Sequence, residues 1–313
     1  MRLTAGLTAL SALTLLAAGC SALQDDSSGD GKVKVAAAFY PLAYVTEQVA
    51  DGTDTQITLL TQPGKEPHDL ELSVSQTGSI VEADLVVFEH GFQPAVDDSV
   101  EQNAEGATID AADVVDLLPV EEHDGDDNAE EDEHAEEDHD HGDLDPHFWQ
   151  DPLRVADLAD AVADKLADID DDNAETYRKN ADDLRTRLEA LDASYRSGLS
   201  DCERDTIVAS HDAFGYLEKY GLHVESIVGL SPEATPSPAV LGKLQDLIRT
   251  EGITTVFSEP LEPALGDGLA ADLHLTNGVL DPVEGLTDAT ADEDYLSLME
   301  SNLQALRKAN DCR

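Results

Sequence analysis

The chain has 313 residues, of which 68 are Asp or Glu and only 18 are Lys or Arg, for a net charge of −50 and a pI near 4.1. That excess of negative charge opposes binding to nucleic acid or to an anionic membrane surface, and as a matter of solubility it fits a salt-adapted organism. With 41% hydrophobic residues the chain builds real cores, and its length exceeds a usual single domain, so two domains are expected.

The N-terminus reads as a targeting segment. Met1-Arg2 is a short positive start, residues 3–18 are apolar and small, and Leu16-Ala17-Ala18-Gly19-Cys20 has the form of a bacterial lipobox. An ordinary signal peptide with a coincidental Cys, or a membrane anchor, is the competing reading, but the run is short for a spanning helix. Residues 1–20 are therefore read as a lipoprotein signal peptide and 21–31 as a polar tether. The mature chain would sit outside the cytoplasm, anchored to the cell membrane by a lipid on Cys20. No second hydrophobic span follows.

Residues 32–39 open as a largely apolar strand. Pro41 starts a helix in which Leu42, Val45 and Val49 recur at helical spacing up to Asp51-Gly52. Strands are expected at 57–60, 85–88 and 107–110, with a turn at Gln62-Pro63-Gly64, a loop over 66–70 and a short helix over 75–83. The alternation of strands and helices predicts an α/β lobe with a mostly parallel sheet over 32–152.

Within that lobe lies an acidic run, 121–145, with fifteen carboxylates, four histidines and no Lys or Arg. It has too little apolar surface to offset the entropy of ordering, so it reads as a loop inside a folded protein. Acidic tracts are ordinarily solvated linkers with no metal role. His123, His134, His139 and His141 tip the balance toward an accessory loop that attracts divalent cations, since neutral imidazole suits zinc-like metals.

After Asp151-Pro152 the pattern turns helical. Val155, Leu158, Ala159, Val162 and Leu166 form one stripe; Tyr177, Ala181, Leu184, Leu188, Leu191 and Tyr195 form another over about 173–197, a helix of roughly 35 Å. Residues 153–200 are thus expected to form a helical connector. Over 201–313 a second α/β lobe follows, with strands at 206–210, 223–228, 254–257 and 277–280 and helices at 213–220, 238–250, 264–273 and 296–306. Cys202 and Cys312 read as one disulfide outside the cell, against the alternative of two free thiols.

Ligands gather at the carboxyl ends of strands in open α/β sheets. His211 and Asp281 directly follow expected strands, His68 lies in a loop shortly after one, and His147 stands at the end of the acidic loop. Three imidazoles and a carboxylate suit zinc, although no local signature such as HExxH is present and each His alone is more often structural. Glu259, also at a strand end, is a candidate for orienting a ligand His. His90, His223 and His274 read as non-ligands. Ser210-His211-Asp212 is no hydrolase triad, because adjacent residues do not face one another.

Five stretches, taken in order, resemble the metal-binding lipoproteins of ABC importers, the cluster A-I solute-binding proteins of the zinc type. They are Glu66-Pro67-His68-Asp69 with Ser73 and Ser75, Asp145-Pro146-His147-Phe148-Trp149-Gln150-Asp151-Pro152, Ser210-His211-Asp212-Ala213-Phe214-Gly215-Tyr216, Phe257-Ser258-Glu259-Pro260, and Val279-Leu280-Asp281-Pro282. The resemblance spans nearly the whole mature chain. It implies two α/β lobes joined by a long helix, a metal held by His68, His147, His211 and Asp281, and delivery of that metal to a membrane permease without catalysis. Some zinc members place an acidic residue directly before the first His; here that residue is Pro67, which puts the fourth place on Asp281 or on water. The manganese branch commonly has Glu where this chain has His211, and a third imidazole suits zinc better.

The expected function is capture of Zn2+ by a monomer in an interdomain cleft and delivery to an ABC permease, with no enzyme activity. A manganese or other divalent-metal carrier of the same family is the alternative, and a zinc-dependent hydrolase or a metal-carrying adhesin stands behind it.

Overall fold

The computed structural model describes residues 32–120 and 144–313. The signal segment 1–20, the tether, Cys20 and the loop histidines His123, His134, His139 and His141 lie outside the described residues. The described elements belong to Val33–Arg313, the larger of two units into which the chain divides.

The first lobe is built from β1 (Lys34–Ala37), α1 (Tyr40–Val49), β2 (Gln56–Leu59), α2 (Val74–Glu82), β3 (Leu85–Phe88), α3 (Pro94–Asn103), β4 (Ala107–Asp110) and α4 (Ala111–Val114). Its four strands form one parallel sheet in the order β2-β1-β3-β4. All four residues of β3 are buried, as the continuous apolar run Leu-Val-Val-Phe requires of an inner strand covered on both faces. Pro41 sits in the first turn of α1, where its missing N–H costs nothing, and Ser73 and Gln76 close a capping box on α2.

A two-residue antiparallel pair, β5 (Leu118–Pro119) with β6 (Leu144–Asp145), brings together the two ends of the acidic run. The hydroxyl of Tyr216 fastens both: it accepts from the Leu118 N–H at 3.0 Å and donates to the Asp145 carbonyl at 2.7 Å.

Then come α5 (Pro152–Ile169) and the 25-residue α6 (Ala174–Gly198), whose apolar stripes are buried as their spacing predicts. At one end of α6 the Asn180 amide donates to the carbonyls of Val49 and Asp51; near the other end the Tyr195 hydroxyl donates to the Met299 carbonyl at 2.6 Å. The helix is therefore fixed to both lobes. No helix among the described residues is long and apolar enough to cross a membrane.

The second lobe contains β7 (Thr206–Ala209), β8 (His223–Ser226), α7 (Pro238–Glu251), β9 (Thr255–Ser258), α8 (Ala264–Leu273), β10 (Thr276–Val279) and α9 (Tyr295–Ala309). Its sheet is again four-stranded and parallel, in the order β10-β9-β7-β8. Cys202 and Cys312 are joined in a disulfide, tying the chain just after α6 to its last residues. The segment expected as a helix over 213–220 is a 3-10 helix, Gly215–Tyr220, ended by Gly221 in the left-handed region at φ 88°. Fold class thus follows the expectation: two parallel sheets flanked by helices, with a long helix between.

Candidate metal centre

Four side chains converge at the carboxyl ends of the two sheets. His68 lies in the loop after β2, His147 two residues after β6, His211 two residues after β7, and Glu284 in the turn after β10. The sheet order reverses between β7 and β9, the place where crossovers diverge and leave a crevice for a ligand. Those two strands deliver His211 and its partner Glu259.

The four ligand atoms are close enough to share one small cation. Glu284 Oε1 lies 3.6 Å from His68 Nε2, 3.4 Å from His147 Nε2 and 3.3 Å from His211 Nε2. All four atoms lie within 4.8 Å of one another. A tetrahedron with metal–ligand bonds of 2.0–2.1 Å has edges of about 3.3 Å. None of the four atoms has a hydrogen-bond partner, although all are buried. Buried polar atoms left unpaired are costly, and four aimed at one point suit a shared cation.

Each of two imidazoles is held by a carboxylate on its other nitrogen. Asp145 Oδ1 accepts from both the His147 backbone N–H (2.9 Å) and Nδ1 (2.8 Å). Glu259 accepts the His211 backbone N–H at 3.0 Å through Oε1 and meets Nδ1 at 2.7 Å through Oε2. A proton on Nδ1 directs the Nε2 lone pair at the centre, so the carboxylate fixes tautomer and aim together. His68 is held through its loop: its N–H donates to Glu66, while the Gln93 amide donates to the Pro67 carbonyl at 2.8 Å. Behind the rings stands an aromatic wall, with Phe92 4.5 Å from the His68 ring and Trp149 5.3 Å from the His147 ring.

The electrostatics of these groups without a cation are coupled. Burial depresses His147, but the carboxylates of Asp145 and Glu284 outweigh it and raise the ring to about 9. Burial likewise depresses His211, and Glu259 and Glu284 raise it to about 10. His68 is lowered by burial, which outweighs the raising effect of Glu284. Glu284 is held well below the usual carboxylate range: burial opposes this, but the three imidazoles prevail. Glu66 stands at the rim, its Oε1 4.0 Å from His68 Nε2, and burial followed by the charge of Glu284 pushes it up to about 8.

Of the residues singled out from the sequence, His68, His147 and His211 meet at one point and Glu259 backs His211. Asp281 does not join them. It is buried, and its Oδ1 accepts the backbone N–H of Val283 at 2.8 Å, closing a turn that carries Glu284 into the place assigned to it. The fourth carboxylate of the group is that of Glu284, three residues further on. Its signal was present as Asp281-Pro282-Val283-Glu284, but a turn conceals which of two nearby carboxylates faces inward. His90 is exposed and lies 3.6 Å from Asp97 Oδ2, His223 is exposed at the start of β8, and His274 ends α8 in the left-handed region. None of the three belongs to the group of four.

The chain is similar to known zinc-binding proteins. Residues 35–309 match the family model described as ZnuA, zinc-uptake complex component A, periplasmic. The chain is 37% identical over 314 residues to the zinc-binding lipoprotein AdcA of Streptococcus pneumoniae, covering 97% of this chain and 60% of that relative's length. It is 31% identical to the high-affinity zinc uptake system protein ZnuA of Bacillus subtilis, covering 96% of each. Among solved structures, the Zn(II)-bound ZnuA-like domain of S. pneumoniae AdcA superposes with a TM-score of 0.72 at 32% identity, over 90% of this chain and all of that domain.

Proposed function

The chain belongs to the family of periplasmic component A of zinc-uptake complexes, and on that premise we propose that it captures Zn2+ at His68, His147, His211 and Glu284 and hands it to the permease of an ABC importer. The observation that carries the reading is the set of four buried donor atoms, none with a hydrogen-bond partner, in which Glu284 Oε1 lies 3.3–3.6 Å from each of three Nε2 atoms, near the edge of a zinc tetrahedron. Three imidazoles and one carboxylate favour zinc over manganese, which prefers oxygen donors. The names of the relatives, which bind zinc, support the same choice of ion.

The protein acts as a carrier and not as an enzyme. A catalytic zinc keeps one position open for water and needs a free base beside it. Here a fourth protein donor fills that position, and Glu259 is committed to His211. The carrier works outside the cytoplasm as a monomer, tethered by a lipid on Cys20. The histidines of residues 121–145 gather zinc weakly ahead of the buried centre.

Titration of the purified chain lacking residues 121–143, with zinc and manganese in competition, tests this. One equivalent of zinc should remain tightly held and resist excess Mn2+. Loss of all tight binding on excision would place the site in the acidic run, and displacement by equimolar Mn2+ would favour the manganese alternative.

A further inference from the structure

Val283 is buried and has φ 60°, the left-handed region that a branched Cβ disfavours strongly. Such a conformation persists only where its surroundings over-determine it. Asp281 Oδ1 accepts the Val283 N–H at 2.8 Å. From α9, Asn302 grips the Asp281 backbone on both sides, accepting its N–H at 2.9 Å and donating to its carbonyl at 2.6 Å. From the opposite side, Trp149 Nε1 and Gln150 Nε2 donate to the Pro282 carbonyl at 2.8 and 2.6 Å. The Oε1 atom that this turn presents, on Glu284, has no hydrogen bond of its own.

We propose that Asp281 and Asn302 are positioning residues, which hold the turn 281–284 in the one conformation that aims Glu284 at the three imidazoles. The inference rests on the metal-binding reading of the same centre. The backbone of this turn brings Glu284 up to the three rings, and five hydrogen bonds hold that backbone in its left-handed conformation. The Pro282 carbonyl also couples two ligands: Trp149 and Gln150 lie two and three residues after His147, so the segment carrying His147 and the turn carrying Glu284 are registered through one oxygen atom. Preorganisation of this kind governs affinity, because the cost of ordering the ligand is met before the ion arrives.

The test uses Co2+ as the probe, since its visible absorption reports the donor set and geometry, together with zinc affinity by chelator competition. Variants are E284Q, D281A and D281N in the full chain. Asn at 281 keeps an oxygen that accepts the Val283 N–H but removes the charge. The expected results are a D281A cobalt spectrum shifted toward that of E284Q, with zinc affinity lower by roughly 10–100-fold, and a D281N spectrum and affinity like wild type. A D281N variant as impaired as D281A would make Asp281 an anionic ligand and overturn the proposal, as would a D281A variant indistinguishable from wild type. Should D281A fail to unfold cooperatively, D281N set against E284Q decides: wild-type behaviour supports the proposal and E284Q-like behaviour overturns it. Wild-type protein that takes up neither cobalt nor zinc overturns the metal-binding reading itself, and the positioning role with it.

Discussion

Replacing His211 with alanine is expected to lower zinc affinity by roughly 10²- to 10³-fold. A four-ligand zinc site contributes about 10–16 kcal/mol at neutral pH. One ligand in four then accounts for about 3–4 kcal/mol, and each 1.4 kcal/mol is a factor of ten. The loss has a second part. Glu259 is buried and meets His211 through both oxygens. In the alanine variant it keeps only the backbone N–H, so a buried carboxylate loses its charge partner and the metal-free protein loses stability as well. The control is His223→Ala, an exposed position at the start of β8, which should leave affinity unchanged. Chelator competition measures the first effect and thermal unfolding the second. A His211→Ala affinity within a few-fold of wild type would remove this residue from the site.

The second large effect is on pH. In the metal-free protein His147 titrates at about 9 and His211 at about 10, so at pH 7.5 both rings are imidazolium. Zinc binds the neutral ring, and binding must expel both protons. Calorimetry at pH 7.5 in buffers of different ionisation enthalpy should therefore record the release of two or more protons per zinc, since Glu66 at the rim, pushed up to about 8, adds to the two rings. Affinity should climb steeply with pH up to about 9 and level off above about 10. An ordinary histidine, near 6.5, would give almost no release at pH 7.5, and that result would contradict the arrangement of Asp145, Glu259 and Glu284 around the rings. The sign for folding is opposite. Both folded-state values exceed the unfolded one, so their contribution to metal-free stability is fully present below about pH 6.5. It is lost as pH rises through 9 and 10. Acidification should weaken zinc binding further, because the ion must displace protons that the same carboxylates hold on the rings.

The fold was legible where apolar spacing is strong. The stripes of α5 and α6, and the alternation of apolar strands with helices, carry two parallel sheets and a long helix between them directly in the chain. Elements with weak patterns escaped. Pro94–Asn103 forms α3 although its sequence, PAVDDSVEQN, buries only Val96, Ser99 and Val100. The pair β5–β6 is two residues long and leaves no periodic trace. At the metal centre His211 was visible because it directly follows a strand, whereas His68, in a loop, and His147, at the end of the acidic run, stood out through the motifs around them. The fourth donor was not, because the choice between Asp281 and Glu284 is made by a turn. With Val283 in the left-handed region the chain reverses, Asp281 spends an oxygen on the backbone, and Glu284 faces the rings. No rule of spacing carries that outcome; it depends on Asn302, Trp149 and Gln150, all distant in sequence. Glu66 was noted only as part of a motif, and its place at the rim, 4.0 Å from His68 Nε2, emerges from folding alone.

The central claim is that one zinc ion sits between His68, His147, His211 and Glu284. X-ray diffraction from zinc-loaded crystals, collected on either side of the zinc absorption edge, tests it most directly. A single strong anomalous peak within about 2.0–2.2 Å of the three Nε2 atoms and of Glu284 Oε1 is the predicted result. A principal peak elsewhere, or one coordinated by Asp281 in place of Glu284, would contradict it.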